Sequence, residues 1–211
     1  MKDGALIKKM LMANPKKCNI LLYGAPGTGK TSFARALAKE VGRTAWEIKQ
    51  GDDDGRNMKS EARMMGIQIC NEQESPSESL VIIDEADELL RGGSYSYMGM
   101  MFGGGRKSTE KGIVNTILFF DEIDGLLQSR ENAHASWEVT QVNELLQQME
   151  NFKGVMVAAT NFCQNLDPAV IRRFTFKLEF DYLDDAGKKI FFEKMFKSEL
   201  SEEEFSKFYL R

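Results

Sequence analysis

The stretch Asn19-Ile20-Leu21-Leu22-Tyr23-Gly24-Ala25-Pro26-Gly27-Thr28-Gly29-Lys30-Thr31 decides the fold. Its first five residues are a short, mostly apolar run that ends at a glycine. Residues 31–41 then carry Ala34, Leu37, Ala38 and Val41 at the spacing of one helical face. The order is therefore strand, glycine loop, helix. From Gly24 through Ala25, Pro26, Gly27, Thr28 and Gly29 to Lys30 and Thr31 the chain satisfies G-x-x-x-x-G-K-[ST] in full. Glycines let consecutive backbone N–H groups converge on phosphate oxygens, and the following helix offers its positive end to the same anion. At these spacings Lys30 reaches the β- and γ-phosphates of a nucleotide, and the Thr31 hydroxyl can ligate Mg²⁺.

Working outward, further strands are predicted at 44–49, 79–83, 154–159 and 174–180. Helical stretches fall at about 57–73 and 138–150, the latter with an apolar stripe of Val139, Val142, Leu145, Leu146 and Met149. Strands alternating with helices specify βαβ units and an α/β fold with a mostly parallel sheet. Continuous apolar strands fit burial on both faces. Two segments break the alternation. Residues 92–112 are glycine-rich with interspersed Tyr, Met and Phe, and read as a flexible loop. The other is an internal repeat. Leu80-Val81-Ile82-Ile83-Asp84-Glu85-Ala86-Asp87-Glu88-Leu89-Leu90 returns 37 positions later as Ile117-Leu118-Phe119-Phe120-Asp121-Glu122-Ile123-Asp124-Gly125-Leu126-Leu127. The echo continues, since Val114-Asn115-Thr116-Ile117-Leu118 after the first copy matches Val142-Asn143-Glu144-Leu145-Leu146 after the second.

Each copy places a carboxylate pair, Asp84-Glu85 or Asp121-Glu122, at the C-terminal end of an apolar strand. In open α/β sheets that edge is where ligands bind. Phosphoryl chemistry needs one acid for the Mg²⁺ shell and a second to activate water for in-line attack. Asp121 or Asp84 fits the first role beside Thr31, and Glu122 or Glu85 the second. Asn161 follows the 154–159 strand, where an amide can hydrogen-bond the γ-phosphate or the attacking water. Arg172 and Arg173 then stand just before the last strand, with guanidinium groups suited to stabilising phosphate charge in trans.

Taken in order, these stations resemble the AAA family of ATPases over roughly residues 19–180. The resemblance implies a five-stranded P-loop NTPase sheet flanked by helices, ATP and Mg²⁺ as ligands, and assembly into a ring, usually a hexamer. In such a ring Arg172 and Arg173 reach a neighbour's γ-phosphate, and hydrolysis drives remodelling of proteins or complexes. It also divides the chain into a lead-in helix at 1–18, an ATPase core at 19–183 and the start of a helical lid at 184–211. Ser201 is a helix-cap candidate within that lid, which stops early. A reading from another class is a nucleotide-binding interaction module with little or no turnover, because a doubled acid strand and a short lid misplace the water.

The intervals depart from the family. Lys30 to Glu85 is 55 positions, near the usual spacing, and Lys30 to Glu122 is 92. Glu122 to Asn161 is 39, again near the usual spacing, and Glu85 to Asn161 is 76. Three explanations compete. Residues 86–120 are an insertion that leaves the first Asp-Glu on a surface or edge strand; the first copy is catalytic and the second is the excursion; or the fronts and backs of two modules join near 115–120. The junction satisfies both intervals and is favoured; it makes Val114 to Leu118 serve as the strand before Asp121. The acidic loop from Gly51 to Asn57 stands where threading members carry an aromatic-hydrophobic pair. Tyr95, Tyr97, Met98 and Phe102 could instead grip a substrate, although a solvated insertion is the simpler reading.

Composition bounds the rest. The 211 residues are 42% hydrophobic and 28% charged, with 14 Phe and 12 Met, which supports a sizeable core and excludes whole-chain disorder. A net charge of −4 gives no bulk attraction to nucleic acid, so nucleic acid is not expected as the main partner. No apolar run approaches the length of a membrane span, and the first residues lack a signal-peptide core, so a cytoplasmic location is expected. Cys18, Cys70 and Cys163 are odd in number and dispersed, and His134 stands alone, so neither a metal cage nor a Cys-His dyad can be written.

Overall fold

The computed structural model describes residues 2–13, 17–51, 54–72, 79–91, 117–123, 136–152, 154–161 and 166–196. The chain divides into two units, residues 1–180 and 181–211. In the first unit the described elements are α1 (Lys2–Met12), β1 (Cys18–Tyr23), α2 (Lys30–Glu40), β2 (Thr44–Ile48), α3 (Ser60–Glu72), β3 (Ser79–Ile83), α4 (Ala86–Arg91), β4 (Ile117–Phe120), α5 (Ser136–Asn151), β5 (Val155–Thr160), α6 (Pro168–Ile171) and β6 (Phe176–Glu179). The second unit contributes α7 (Asp185–Phe196), whose first turn is capped by the Asp184 carboxylate accepting the Gly187 N–H at 2.7 Å.

The strands form one sheet in the order β2-β3-β4-β5-β1-β6, every adjacent pair parallel. Alternation along the inner strands feeds two separate cores. On one face Leu21, Val81, Ile83, Leu118, Phe120, Met156 and Ala158 pack with Met64 and Ile67 of α3 and Val142, Leu145, Leu146 and Met149 of α5. On the other, Ile20, Leu22, Leu80, Ile82, Ile117, Phe119, Val155 and Val157 pack with Ile7 and Leu11 of α1 and Ala34, Leu37 and Ala38 of α2. Covering both faces removes apolar surface from water twice over, and so β4 and β5 are buried at every position.

The two carboxylate strands lie side by side inside this sheet. β3 pairs with β2 and β4, and β4 pairs with β3 and β5, with Ile83 beside Phe120. This corrects the strand placement in two of the three explanations for the repeat. The first Asp-Glu strand is on neither a surface nor an edge, and the second is no excursion, because each supplies buried side chains to both cores. Among the described residues the sheet has six strands where five were expected, both Asp-Glu strands lying inside it. Ile117 and Leu118 stand in β4, a placement that the junction and the insertion share; Val114 to Thr116, and the 92–112 loop with Tyr95, Tyr97, Met98 and Phe102, lie outside the described residues. The strand expected at 44–49 ends at Ile48 and departs from the doubly buried pattern. β2 is a sheet edge, mostly exposed, with Trp46 41% accessible, because among the described residues only β3 flanks it.

Candidate functional site

Strand β1 delivers the chain to the phosphate loop at a position only glycine can occupy. Gly24 has φ +143°, and a Cβ on it would stand 2.0 Å from the Phe180 carbonyl oxygen. Phe180 is held there because its N–H donates to the Tyr23 carbonyl at 2.7 Å. Gly29 caps α2 in the left-handed region, φ +92°, and turns the chain so that Lys30 and Thr31 open the helix facing the loop. The Thr28 hydroxyl donates to the Ala25 carbonyl at 2.8 Å, closing the loop on itself.

Lys30 is 94% buried by its own loop, at 6% exposure. Its Nζ donates to the Gly24 carbonyl at 2.8 Å, the Ala25 carbonyl at 3.0 Å and Asn161 Oδ1 at 2.8 Å. The Thr31 hydroxyl donates to the Asp121 carboxylate. Asp121 is buried and also accepts the Glu122 N–H at 3.1 Å. Burial pushes the Asp121 carboxyl above its ordinary range and the neighbouring Asp84 charge adds to this, while the Thr31 hydroxyl, the Glu122 amide and the Lys30 charge oppose it.

A cleft of about 400 Å³ joins these groups, lined among others by Gly27, Gly29, Lys30, Thr31, Asp84, Asp121, Glu122 and Asn161. Pro26, Ser32 and Arg35 complete its lining. Of the expected site residues, the cleft thus brings together the loop, both aspartates, Glu122 and Asn161. Glu85 is not among the lining residues. Its carboxyl is raised first by desolvation, then by hydrogen bonding to Glu88 and the charges of Asp84, Glu88 and Glu122. Glu85 and Glu122 share a left-handed backbone, φ 42° and 49°, so the repeat extends to the conformation of the turn after each strand.

The two arginines differ. Arg173 is engaged within its own chain, with Nε 2.9 Å and Nη2 2.5 Å from Glu150 Oε1, and Nη1 donating to the Ala169 carbonyl at 2.9 Å. Arg172 is exposed, and no side-chain hydrogen bond or ion pair ties it among the described residues. They follow α6, whose start is capped by the Asp167 carboxylate accepting the Ala169 N–H at 2.7 Å.

Two residues went unanticipated. Arg35, five positions after Lys30, lines the cleft and lies 2.5 Å from Glu47 of β2. Arg63 of α3 is 2% exposed, and its signal was available: with Ile67 and Cys70 it occupies the apolar register i, i+4, i+7.

The arrangement suits a nucleotide carrying Mg²⁺. Left-handed glycines expose loop amides, a lysine stands at the loop mouth, and a threonine hydroxyl is paired with a buried aspartate, an all-oxygen donor set of the type this hard cation takes. Comparison with known proteins gives the family. The model of the "ATPase family associated with various cellular activities (AAA)" matches residues 20–101 and again 98–182, one Asp-Glu strand in each match. The chain is 28% identical over 182 residues to a proteasome-associated ATPase of Saccharopolyspora erythraea, covering 83% of this chain and 27% of the relative. It is 27% identical over 203 residues to the proteasome-associated ATPase of Mycobacterium avium, covering 92% and 30%. The chain thus spans under a third of the length of these relatives. A chain of the E. coli MS115-1 HORMA:CdnC:Trip13 complex superposes with a TM-score of 0.64 at 17% identity, covering 98% of this chain and 71% of that one, which is a likeness of fold.

Proposed function

The chain belongs to the AAA family of ATPases, and from that premise we propose that it binds ATP with Mg²⁺ in the 400 Å³ cleft and hydrolyses it with Asp121-Glu122 as the working acid pair. The observation that carries this choice is the bond from the Thr31 hydroxyl to Asp121, with Glu122 rather than Glu85 lining the same cleft. A bound Mg²⁺ would supply neutralisation of phosphate charge. Thr31 and Asp121 would hold that ion. Gly27 to Gly29 present main-chain amides to the phosphates, and Lys30 exchanges its carbonyl partners for phosphate oxygens. Glu122 takes the proton of the attacking water, and Asn161, already at the loop mouth, orients that water or the γ-phosphate.

Several wider proposals rest on the same reading. The chain works in a ring, a hexamer by family habit, with Arg172 completing a neighbour's site; Arg173, tied to Glu150, positions the segment. Residues 184–211 begin a helical lid, of which α7 is the described part. Remodelling of protein is the favoured work, because relatives are named proteasome-associated ATPases. A joining of two modules, placed near 115–120 by the repeat, is in keeping with two family matches, although these meet at 98–101. The alternative, a nucleotide-binding module with little turnover, is favoured by Asp84, whose charge adds to that of the cation ligand Asp121.

Nucleotide binding and hydrolysis test the assignment. Lys30→Ala is expected to lose Mg·ATP binding, on the order of tenfold to a hundredfold, and all measurable hydrolysis. An Lys30→Ala chain that binds and hydrolyses like the parent would place the site elsewhere.

A further inference from the structure

Arg63 is a buried guanidinium that neither the phosphate loop nor the acid pair directly uses. It sits 2% exposed on α3, a helix on which Met65 and Ile69 are exposed. Its Nη2 donates to the main-chain carbonyl of Asp84, while its Nε is buried with no acceptor among the described residues. Glu88, Asp84 and Glu85 are the charges that act on it, and burial alone lowers its proton affinity. Burying a guanidinium with one donor unmatched is costly, and an apolar side chain of similar length would spare that cost. What sets an arginine apart from an apolar residue in this register is the bond it makes to the Asp84 carbonyl.

The Asp84 carbonyl belongs to a turn that grips Asp121 by both of its main-chain groups. Asp121 N–H donates to the Ile83 carbonyl at 2.9 Å, and its own carbonyl accepts the Ala86 N–H at 2.9 Å. Between these two anchors lie Asp84 and the left-handed Glu85. The turn is thus a two-point clamp on the residue whose carboxylate takes the Thr31 hydroxyl, and Glu122 follows Asp121 directly. We infer that Arg63 is a positioning residue for hydrolysis, acting through the turn at Asp84 to Ala86 on the main chain of Asp121. On this view the surplus Asp-Glu strand is a template: its carboxylates are secondary, and its backbone sets the geometry of the working pair. A charged hydrogen bond is the stronger tie for such a turn. The inference rests on the proposed hydrolysis for its functional consequence and on the hydrogen-bond chain for its structural one.

The test compares Arg63→Met and Arg63→Lys in the full chain. Three readouts are used: thermal midpoint, amide hydrogen exchange at Ala86 and Asp121 without nucleotide, and single-turnover hydrolysis over a range of Mg·ATP. Arg63→Met is expected to keep or raise the midpoint and to exchange at Ala86 and Asp121 about tenfold faster. Its kcat falls about tenfold with KM little changed, the worth of one charged hydrogen bond. Arg63→Lys, which keeps a charged donor, restores most of both. Should Arg63→Met not fold, Arg63→Gln carries the same readouts with the same direction. Parent-like exchange at both amides in a folded, uncharged variant overturns the inference, as does parent-like kcat in such a variant. If the parent chain itself hydrolyses nothing, the proposed function fails while the exchange arm still decides whether Arg63 holds the clamp.

Discussion

Asp121 carries opposed demands. It is buried beside a second aspartate, which disfavours its charge, yet the proposed site requires it charged to hold a cation with Thr31. Its raised carboxyl means the folded chain binds more protons than the unfolded one between the ordinary aspartate range and the raised value. Stability therefore falls as pH rises through that window, and the penalty is complete above it. Asp121→Asn, whose amide oxygen still accepts from Thr31, should raise the thermal midpoint of metal-free protein at pH 7 to 8. The gain should vanish below the ordinary aspartate pKa, about 3.9. Thermal denaturation against pH in chelator checks this; a midpoint lowered at neutral pH would contradict it. Gly24 shows the same economy from the steric side, since the loop closes on the Phe180 carbonyl where any Cβ would collide.

At the scale of elements, the central fact is that β3 and β4 are neighbours. Phe119 of β4 is 0% exposed and packs with the α1 and α2 side of the core. Phe119→Ala should cost about 3–5 kcal/mol, read from chemical denaturation, whereas an excursion strand would lose well under about 1 kcal/mol. How much of this was legible follows from how local each feature is. The phosphate loop was readable because Gly24 to Thr31 are consecutive and carry their own geometry. The strands were readable as apolar runs, and the stripe of α5 as period. The adjacency of the two acid strands was not, because order in a parallel sheet is set by partners distant in sequence: Ile83 pairs with Phe120. The exposure of β2 escaped for the same reason, its pattern not saying that it would lie at an edge. Arg63 was missed because an arginine in a helix reads as surface unless its apolar register is weighed against its charge. Arg172 and Arg173 could not be separated in sequence, since Glu150, 23 positions before Arg173, is what distinguishes them.

For the whole molecule, the role proposed for the exposed Arg172 would assign part of the chemistry to a second copy. A ring in which Arg172 acts across the interface predicts complementation. Arg172→Ala should retain nucleotide binding and lose hydrolysis on the order of a hundredfold or more, the range of an arginine acting in trans. Mixed with Lys30→Ala chains, it should regain part of the activity, because some interfaces then pair an intact loop with an intact arginine. Mixing that yields no more than the sum of the separate variants would place Arg172 outside the neighbour's site.

On the proposed reading, one of two near-identical acid strands does the chemistry and the other shapes it. Single-turnover hydrolysis of Mg·ATP by Glu122→Gln and Glu85→Gln, each against the parent, tests this most directly. Glu122→Gln should slow the chemical step by roughly 10² to 10⁴ while binding nucleotide normally. Glu85→Gln should stay within about threefold of the parent, because its carboxyl does not line the cleft. Loss of turnover in Glu85→Gln with Glu122→Gln still active would reverse the assignment.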